Sequence, residues 1–178
     1  MFTRMNNLKP DPFYGGVYFD SCAFDGGSEH EQKSSIASKN LFEEHGRYIE
    51  LLHSVAKEID FPNTPQWVKN EAADLVFTID VDLTQPELDA LSKVKRLIVG
   101  NGSLEKMRSD CRHIFEAQKY GRYFVTTDIR LLKKSPEIKS NFNLHIVKPS
   151  EFLAILGHYI EQKYNNQSHA TQNHARIL

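Results

Sequence analysis

Three short apolar runs stand out against a chain otherwise patterned at helical spacing. Val17-Tyr18-Phe19, Tyr123-Phe124-Val125-Thr126-Thr127 and Leu144-His145-Ile146-Val147 read as buried strands. The first two end in aspartates, Asp20 and Asp128. Between them lie stripes at threes, fours and sevens. Leu41, Phe42, Ile49, Leu52, Val55 and Ile59 predict a helix from Ser34 or Ser35 to about Ile59, with Gly46 as a point of division. Asn63-Thr64-Pro65 reads as the start of a helix reaching about Phe77, with Trp67, Glu71 and Leu75 four apart. Thr84-Gln-Pro-Glu87 forms a capping box ahead of Leu88, Leu91, Val94 and Ile98. A further stripe, Leu104, Met107, Cys111 and Ile114, ends at Gly121, which reads as a helix C-cap. A short basic helix follows Asp128. The last helix opens at Pro149-Ser150 and turns Phe152, Leu153, Leu156 and Ile160 inward.

Short apolar strands alternating with helices predict an α/β domain around a mainly parallel sheet. The expected organisation is a leader over 1–16, one domain over 17–163 and an unstructured tail over 164–178. A Gly- and Ser-rich loop is expected over 24–35. In parallel sheets ligands gather beyond the carboxyl ends of the strands, which is where Asp20 and Asp128 would stand.

With 178 residues, 40% of them apolar and 25% charged, the chain fits a single globular domain. A net charge of −1 supplies no global field for a polyanion, so a nucleic-acid partner would need a local basic patch. Arg130, Lys133 and Lys134, within two turns of Asp128, are the candidates for holding substrate phosphates; a solvated basic helix is the plainer alternative. Lys93, Lys95 and Arg96 read as surface charges. Two distant cysteines, Cys22 and Cys111, read as reduced, buried thiols. No signal-like or membrane-spanning run is present, so a cytoplasmic protein is expected.

The candidate chemistry is carboxylate chemistry. Glu71 and Asp110 flank the apolar stripes of their helices, where an unpaired acid is costly. Each of the four acids taken alone has a bland reading, as a turn residue or a solvated helix edge. Brought together, two carboxylates about 6 Å apart repel by roughly 3 kcal/mol at an effective dielectric near 20. Asp20, Glu71, Asp110 and Asp128 are a set that residue types alone would not pick out of 23 acids. A cluster of the four would either raise its pKa values or recruit a divalent cation, and oxygen ligands suit Mg²⁺ or Mn²⁺. Such an ion can activate water and neutralise charge developing on a phosphodiester. The eight histidines show no zinc-site spacing, and His113, one turn past Asp110, reads as a packing or supporting residue.

The stretch Asp110 to Asp128, with His113, Ala117, Gly121 and Thr126-Thr127-Asp128 in register, resembles the PIN-domain nuclease family. Val17-Tyr-Phe-Asp20-Ser21 is similar to that family's opening strand, Glu71 to its helical glutamate, and residues 144–153 to its last strand and helix. The resemblance spans about residues 17–160. It implies a three-layer α/β/α sandwich and an Mg²⁺- or Mn²⁺-dependent endoribonuclease. Asp20, Glu71, Asp110 and Asp128 would be its catalytic metal ligands, with Ser21 and Thr126 as supporting hydrogen-bonders. RNA would be the substrate. Many members are toxins of VapBC-type toxin–antitoxin pairs, which implies an antitoxin partner and a homodimer. This chain departs from the toxins in its leader, its long first loop and its tail. The competing reading from another class is a PIN-like module that binds RNA or protein without cutting. An aspartyl phosphatase fits poorly, because Cys22 stands where a second aspartate would be needed.

Overall fold

The computed structural model describes residues 9–25, 27–60, 62, 64, 66–73, 75 and 82–175, with the backbone alone at 25, 67, 68, 71 and 166–175. It is a mixed α/β structure, mostly helical, around a three-stranded parallel sheet. The strands are β1 (Gly16–Phe19), β2 (Gly121–Val125) and β3 (His145–Val147), paired in sequence order. Val17, Tyr18 and Phe19 lie against Tyr123, Phe124 and Val125, and these last three lie against His145, Ile146 and Val147. Those paired residues are all buried, so neither face of the sheet meets solvent there. This is why the strands read as unbroken apolar runs rather than alternating ones.

Eight helices are present among the described residues: α1 (Ser21–Asp25), α2 (Glu29–Glu44), α3 (His53–Ile59), α4 (Gln66–Ala73), α5 (Gln85–Val99), α6 (Arg108–Tyr120), α7 (Ile129–Phe142) and α8 (Pro149–Ala175). No helix among those residues is long and apolar enough to cross a membrane. The expected Thr84–Glu87 cap is in place: the Thr84 N–H donates to the Glu87 carboxylate at 2.8 Å, and Lys119 pairs with the same side chain. The tightest part of the core is aromatic. Phe152 of α8 meets Phe19 edge-on at 6.0 Å and Phe42 of α2 at 6.1 Å, and Phe13 closes over Phe42 at 5.3 Å. Part of the expected leader is therefore packed into the core. Tyr123 and Tyr159 also donate to the carbonyls of Pro10 and Lys9.

Three expectations change. The loop over 24–35 is mostly helical, because Ser28 caps α2 at its Glu31 N–H and Glu29 and Glu31 favour the first turn. The stripe to Ile59 divides near Gly46 as expected, but an extended segment lies between its two helices. Gly46, at φ 71°, turns the chain out of α2. Glu50 then bridges Tyr18 in parallel, its N–H donating to the Val17 carbonyl while its own carbonyl accepts from Phe19 N–H. Ile49 and Leu51 are buried and Tyr48 is exposed, which is a period of two. The helical spacing of Ile49, Leu52 and Val55 masked that period. Finally, α8 continues to Ala175, through most of the segment expected as a tail. No Gly or Pro follows Gly157 to stop it. The expected helix start at Asn63 and Pro65, the end near Phe77 and the Trp67 side chain lie outside the described residues.

Gly121 ends α6 with an extended backbone, φ −118° and ψ 169°, not the left-handed one of a glycine cap. Its smallness is what counts. A Cβ there would sit 2.4 Å from the ring of Tyr18, which is fully buried. Gly121→Ala is expected to destabilise the protein by roughly 1–3 kcal/mol, the usual cost of overpacking, read as a lower urea midpoint at an unchanged slope. His145 offers a second test. Burial, helped by Lys139, Lys9 and Arg122, depresses its pKa from 6.5 to about 4. The unfolded chain therefore takes up the proton first as pH falls, and stability present above pH 6.5 is lost progressively down to about 4. The loss approaches roughly 3 kcal/mol. The difference in unfolding free energy between wild type and His145→Gln should follow that pH window; a pH-independent difference would contradict the assignment.

Candidate metal centre

Sheet pairing brings Asp20 and Thr126 together. The ladder runs one residue past each strand: Asp20 N–H donates to the Val125 carbonyl at 2.9 Å, and Thr126 N–H to the Val147 carbonyl at 3.0 Å. The two side chains meet at the carboxyl edge, where Thr126 Oγ1 donates to Asp20 Oδ2 at 2.7 Å. Asp20 is 6% exposed, and a carboxylate so buried needs donors. It has two more. The N–H of Ser21, which opens α1, donates to Oδ1 at 2.9 Å, and Cys22 Sγ donates to Oδ2 at 3.1 Å. Burial, reinforced by Asp20, pushes the Cys22 thiol up to about 11, so it serves as a donor rather than a nucleophile.

Two residues outside the expected ligand set complete the centre. α3 presents Glu58, and α6 presents His113. One ligand atom from each of Asp20, Glu58 and His113 lies within 4.8 Å of the other two, and no other such group of His, Cys, Asp or Glu occurs among the described residues. The imidazole lies flat against Phe124, with ring centroids 6.5 Å apart, and Ser54 Oγ holds its Nδ1 at 2.8 Å. That contact aims Nε2 at the two carboxylates. Nε2 is buried and stands 3.2 Å from Glu58 Oε2, an ion pair when the imidazole is protonated. Ser21 Oγ donates to the same Glu58 oxygen at 3.3 Å. Ser21 and Thr126, the expected supporting residues, thus both reach carboxylates of this group.

The electrostatics bind the group together. Burial alone would lower the His113 pKa, but Glu58, Asp20 and Asp110 outweigh it and raise it. Burial likewise pushes Glu58 up, and His113 with the hydroxyls of Ser109 and Ser21 brings it below the usual range.

Asp110 and Asp128 stand beside this group, outside it. Asp110, in the first turn of α6, is raised by burial and by Asp128 and Asp20, against the pull of Arg130 and His113. Asp128 caps α7, accepting the Arg130 N–H at 2.7 Å. It is pushed up by burial but held below the usual carboxylate range by Arg130. The Arg130 guanidinium bridges the two acids, 2.6 Å from Asp128 Oδ2 and 3.3 Å from Asp110 Oδ2. Of the expected phosphate-binding cations, Arg130 is therefore turned onto carboxylates. Lys134 pairs with Glu137 at 3.4 Å, and Lys133 is exposed.

Of the four acids singled out in the sequence, Asp20, Asp110 and Asp128 share one end of the sheet. Glu71 lies on α4, and its side chain is outside the described residues. Glu58 and His113 were missed as ligands. Glu58 stands near the C-terminal end of α3, and no feature of the sequence sets it apart from the other acids. No family model, curated protein or solved structure matches this chain.

The Thr126 hydroxyl donates to Asp20 and also accepts the Asp128 N–H at 3.0 Å. Thr126→Val keeps the shape but strands the Asp128 N–H and takes from Asp20 one of its three donors. It should cost about 1–3 kcal/mol of stability, measured by urea unfolding, whereas Thr126→Ser should stay close to wild type.

Proposed function

We propose that this chain is a divalent-metal-dependent endoribonuclease of the PIN type, with Asp20, Glu58 and His113 as its primary metal ligands. The observation that carries the reading is the convergence of Asp20, Glu58 and His113, one ligand atom from each lying within 4.8 Å of the other two. Two carboxylates so close call for a positive charge, which a proton on His113 or a bound cation supplies. The spacing also fits. Two ligands at right angles on an octahedral ion with bonds near 2.1 Å stand about 3 Å apart, and Glu58 Oε2 to His113 Nε2 is 3.2 Å. An imidazole among oxygen donors shifts the preference from Mg²⁺ towards Mn²⁺.

When bound, the ion would supply charge neutralisation at a phosphodiester and a lowered pKa for an attacking water. The chain's own residues do the rest. Thr126, Ser21 and Cys22 fix the Asp20 carboxylate, and Ser54 fixes the imidazole. Asp110 and Asp128 add negative potential on the side of Arg130. RNA as substrate, the three-layer α/β/α arrangement, the toxin role, an antitoxin partner and homodimerisation belong to the same reading and rest on the sequence motifs. The buried strands are in keeping with helices on both faces of the sheet.

One observation favours the alternative, a PIN-like module that binds RNA or protein without cutting. Arg130 already neutralises Asp110 and Asp128, so these two acids have less need of a cation. Calorimetry with Mn²⁺ and a cleavage assay on total RNA separate the two readings. Wild type should bind Mn²⁺ and cut. Asp20→Asn should lose more than the roughly 10–100-fold that removal of a merely supporting partner costs. The nuclease reading is sunk if wild type leaves RNA intact in Mn²⁺ and Mg²⁺, or if Asp20→Asn binds Mn²⁺ as tightly as wild type.

A further inference from the structure

At the second pair of acids a cation of the chain's own is already seated. Arg130 Nη2 lies 2.6 Å from Asp128 Oδ2 and 3.3 Å from Asp110 Oδ2, so one nitrogen touches both carboxylates. Arg130 Nε adds a bond of 3.2 Å to each oxygen of Asp128. The acids are the inner partners, 17% and 20% exposed, and the Arg130 side chain is the outer one, 59% exposed. Among the described residues, the hydrogen bonds and ion pairs of the guanidinium all run to these two acids. The Arg130 backbone is held separately, its N–H donating to Asp128 Oδ1 at 2.7 Å in the cap of α7. The guanidinium can therefore turn out into solvent while the cap stays closed. An ion pair open to water on one side holds only weakly.

We propose that Arg130 is an exchangeable counter-ion, filling a second cation position between Asp110 and Asp128 and keeping a divalent ion out of it. With the guanidinium gone, the two carboxylates would have no charge between them, and oxygen donors of this kind suit Mn²⁺ or Mg²⁺. The guanidinium and a divalent ion exclude each other there, because like charges at that range repel strongly. Occupancy then follows the difference in affinity between the two occupants. The resting chain holds an ion at Asp20–Glu58–His113 alone, and the second position opens only when Arg130 leaves. The count of one ion at rest depends on the metal reading above; the exclusion by Arg130 does not.

The test is calorimetry of the full chain titrated with MnCl₂ at neutral pH and low salt. Wild type should take up one ion, and Arg130→Gln a second. Loss of the repulsion should tighten binding at the second position at least about tenfold, even after screening by water. Arg130→Met, which keeps much of the apolar stem, should behave alike. Asp110→Asn added to Arg130→Gln should abolish the gain. Lys133→Gln removes an exposed charge one turn along α7 and should leave Mn²⁺ uptake as in wild type. Unchanged uptake in both Arg130 variants overturns the proposal, as does a gain that survives Asp110→Asn or appears equally in Lys133→Gln. If wild type binds an ion that Asp20→Asn abolishes while the Arg130 variants add nothing, the Asp20–Glu58–His113 centre stands and the exchange falls. If wild type binds none while Arg130→Gln binds one, lost again with Asp110→Asn, the exchange stands and that centre falls.

Discussion

A buried carboxylate must be given donors, and Asp20 is given them by the register of β1 on β2. Parallel pairing sets Phe19 against Val125, so the next residues along, Asp20 and Thr126, fall side by side where the strands stop. Thr126 then serves two masters, one lone pair holding the Asp128 N–H and its proton holding Asp20. A slip of one residue would exchange inward for outward side chains along the strand and separate the pair. Gly121 protects that register, because only a hydrogen at its α-carbon clears the ring of Tyr18. The centre is therefore a consequence of sheet geometry before it is a matter of side-chain chemistry.

That order explains what was legible. β1, β2 and β3 are buried on both faces, and continuous apolar runs announce themselves in a sequence; so did the aspartates that end two of them. The Thr84–Glu87 cap and the stripes of α5 and α6 were equally plain, because capping and helical periodicity are local. The segment 47–52 was hidden for a physical reason. Its apolar residues satisfy a helical period as well as a strand period, and only pairing with β1, some thirty residues away in sequence, decides between them. Glu58, near the end of the helix that follows, carries nothing in the sequence that sets it apart from the other acids. His113 was read as a packing or supporting residue, since the approach of Glu58 to its Nε2 has no signature in sequence.

Arg130 shows the limit of charge counting. In sequence it is a cation beside a proposed metal site, which suggests a phosphate contact. In the structure the N-cap geometry of Asp128 aims the carboxylate back at the Arg130 backbone, and the guanidinium closes on the same oxygens. An arginine two residues after a capping aspartate is within easy reach of it. Pairing across so short a loop costs little entropy. Proximity in sequence made the intramolecular pair the cheaper partner.

Four carboxylates consequently face one guanidinium and one imidazole at the end of this sheet. The guanidinium serves Asp110 and Asp128, while the buried imidazole faces Asp20 and Glu58. What separates the two halves is the kind of charge each pair of acids meets. A guanidinium keeps its charge at any ordinary pH, whereas an imidazole is charged only while it holds its proton. The Asp20–Glu58–His113 group is therefore the half whose charge balance can change with pH, and the half at which the proposed ion would take the place of a proton.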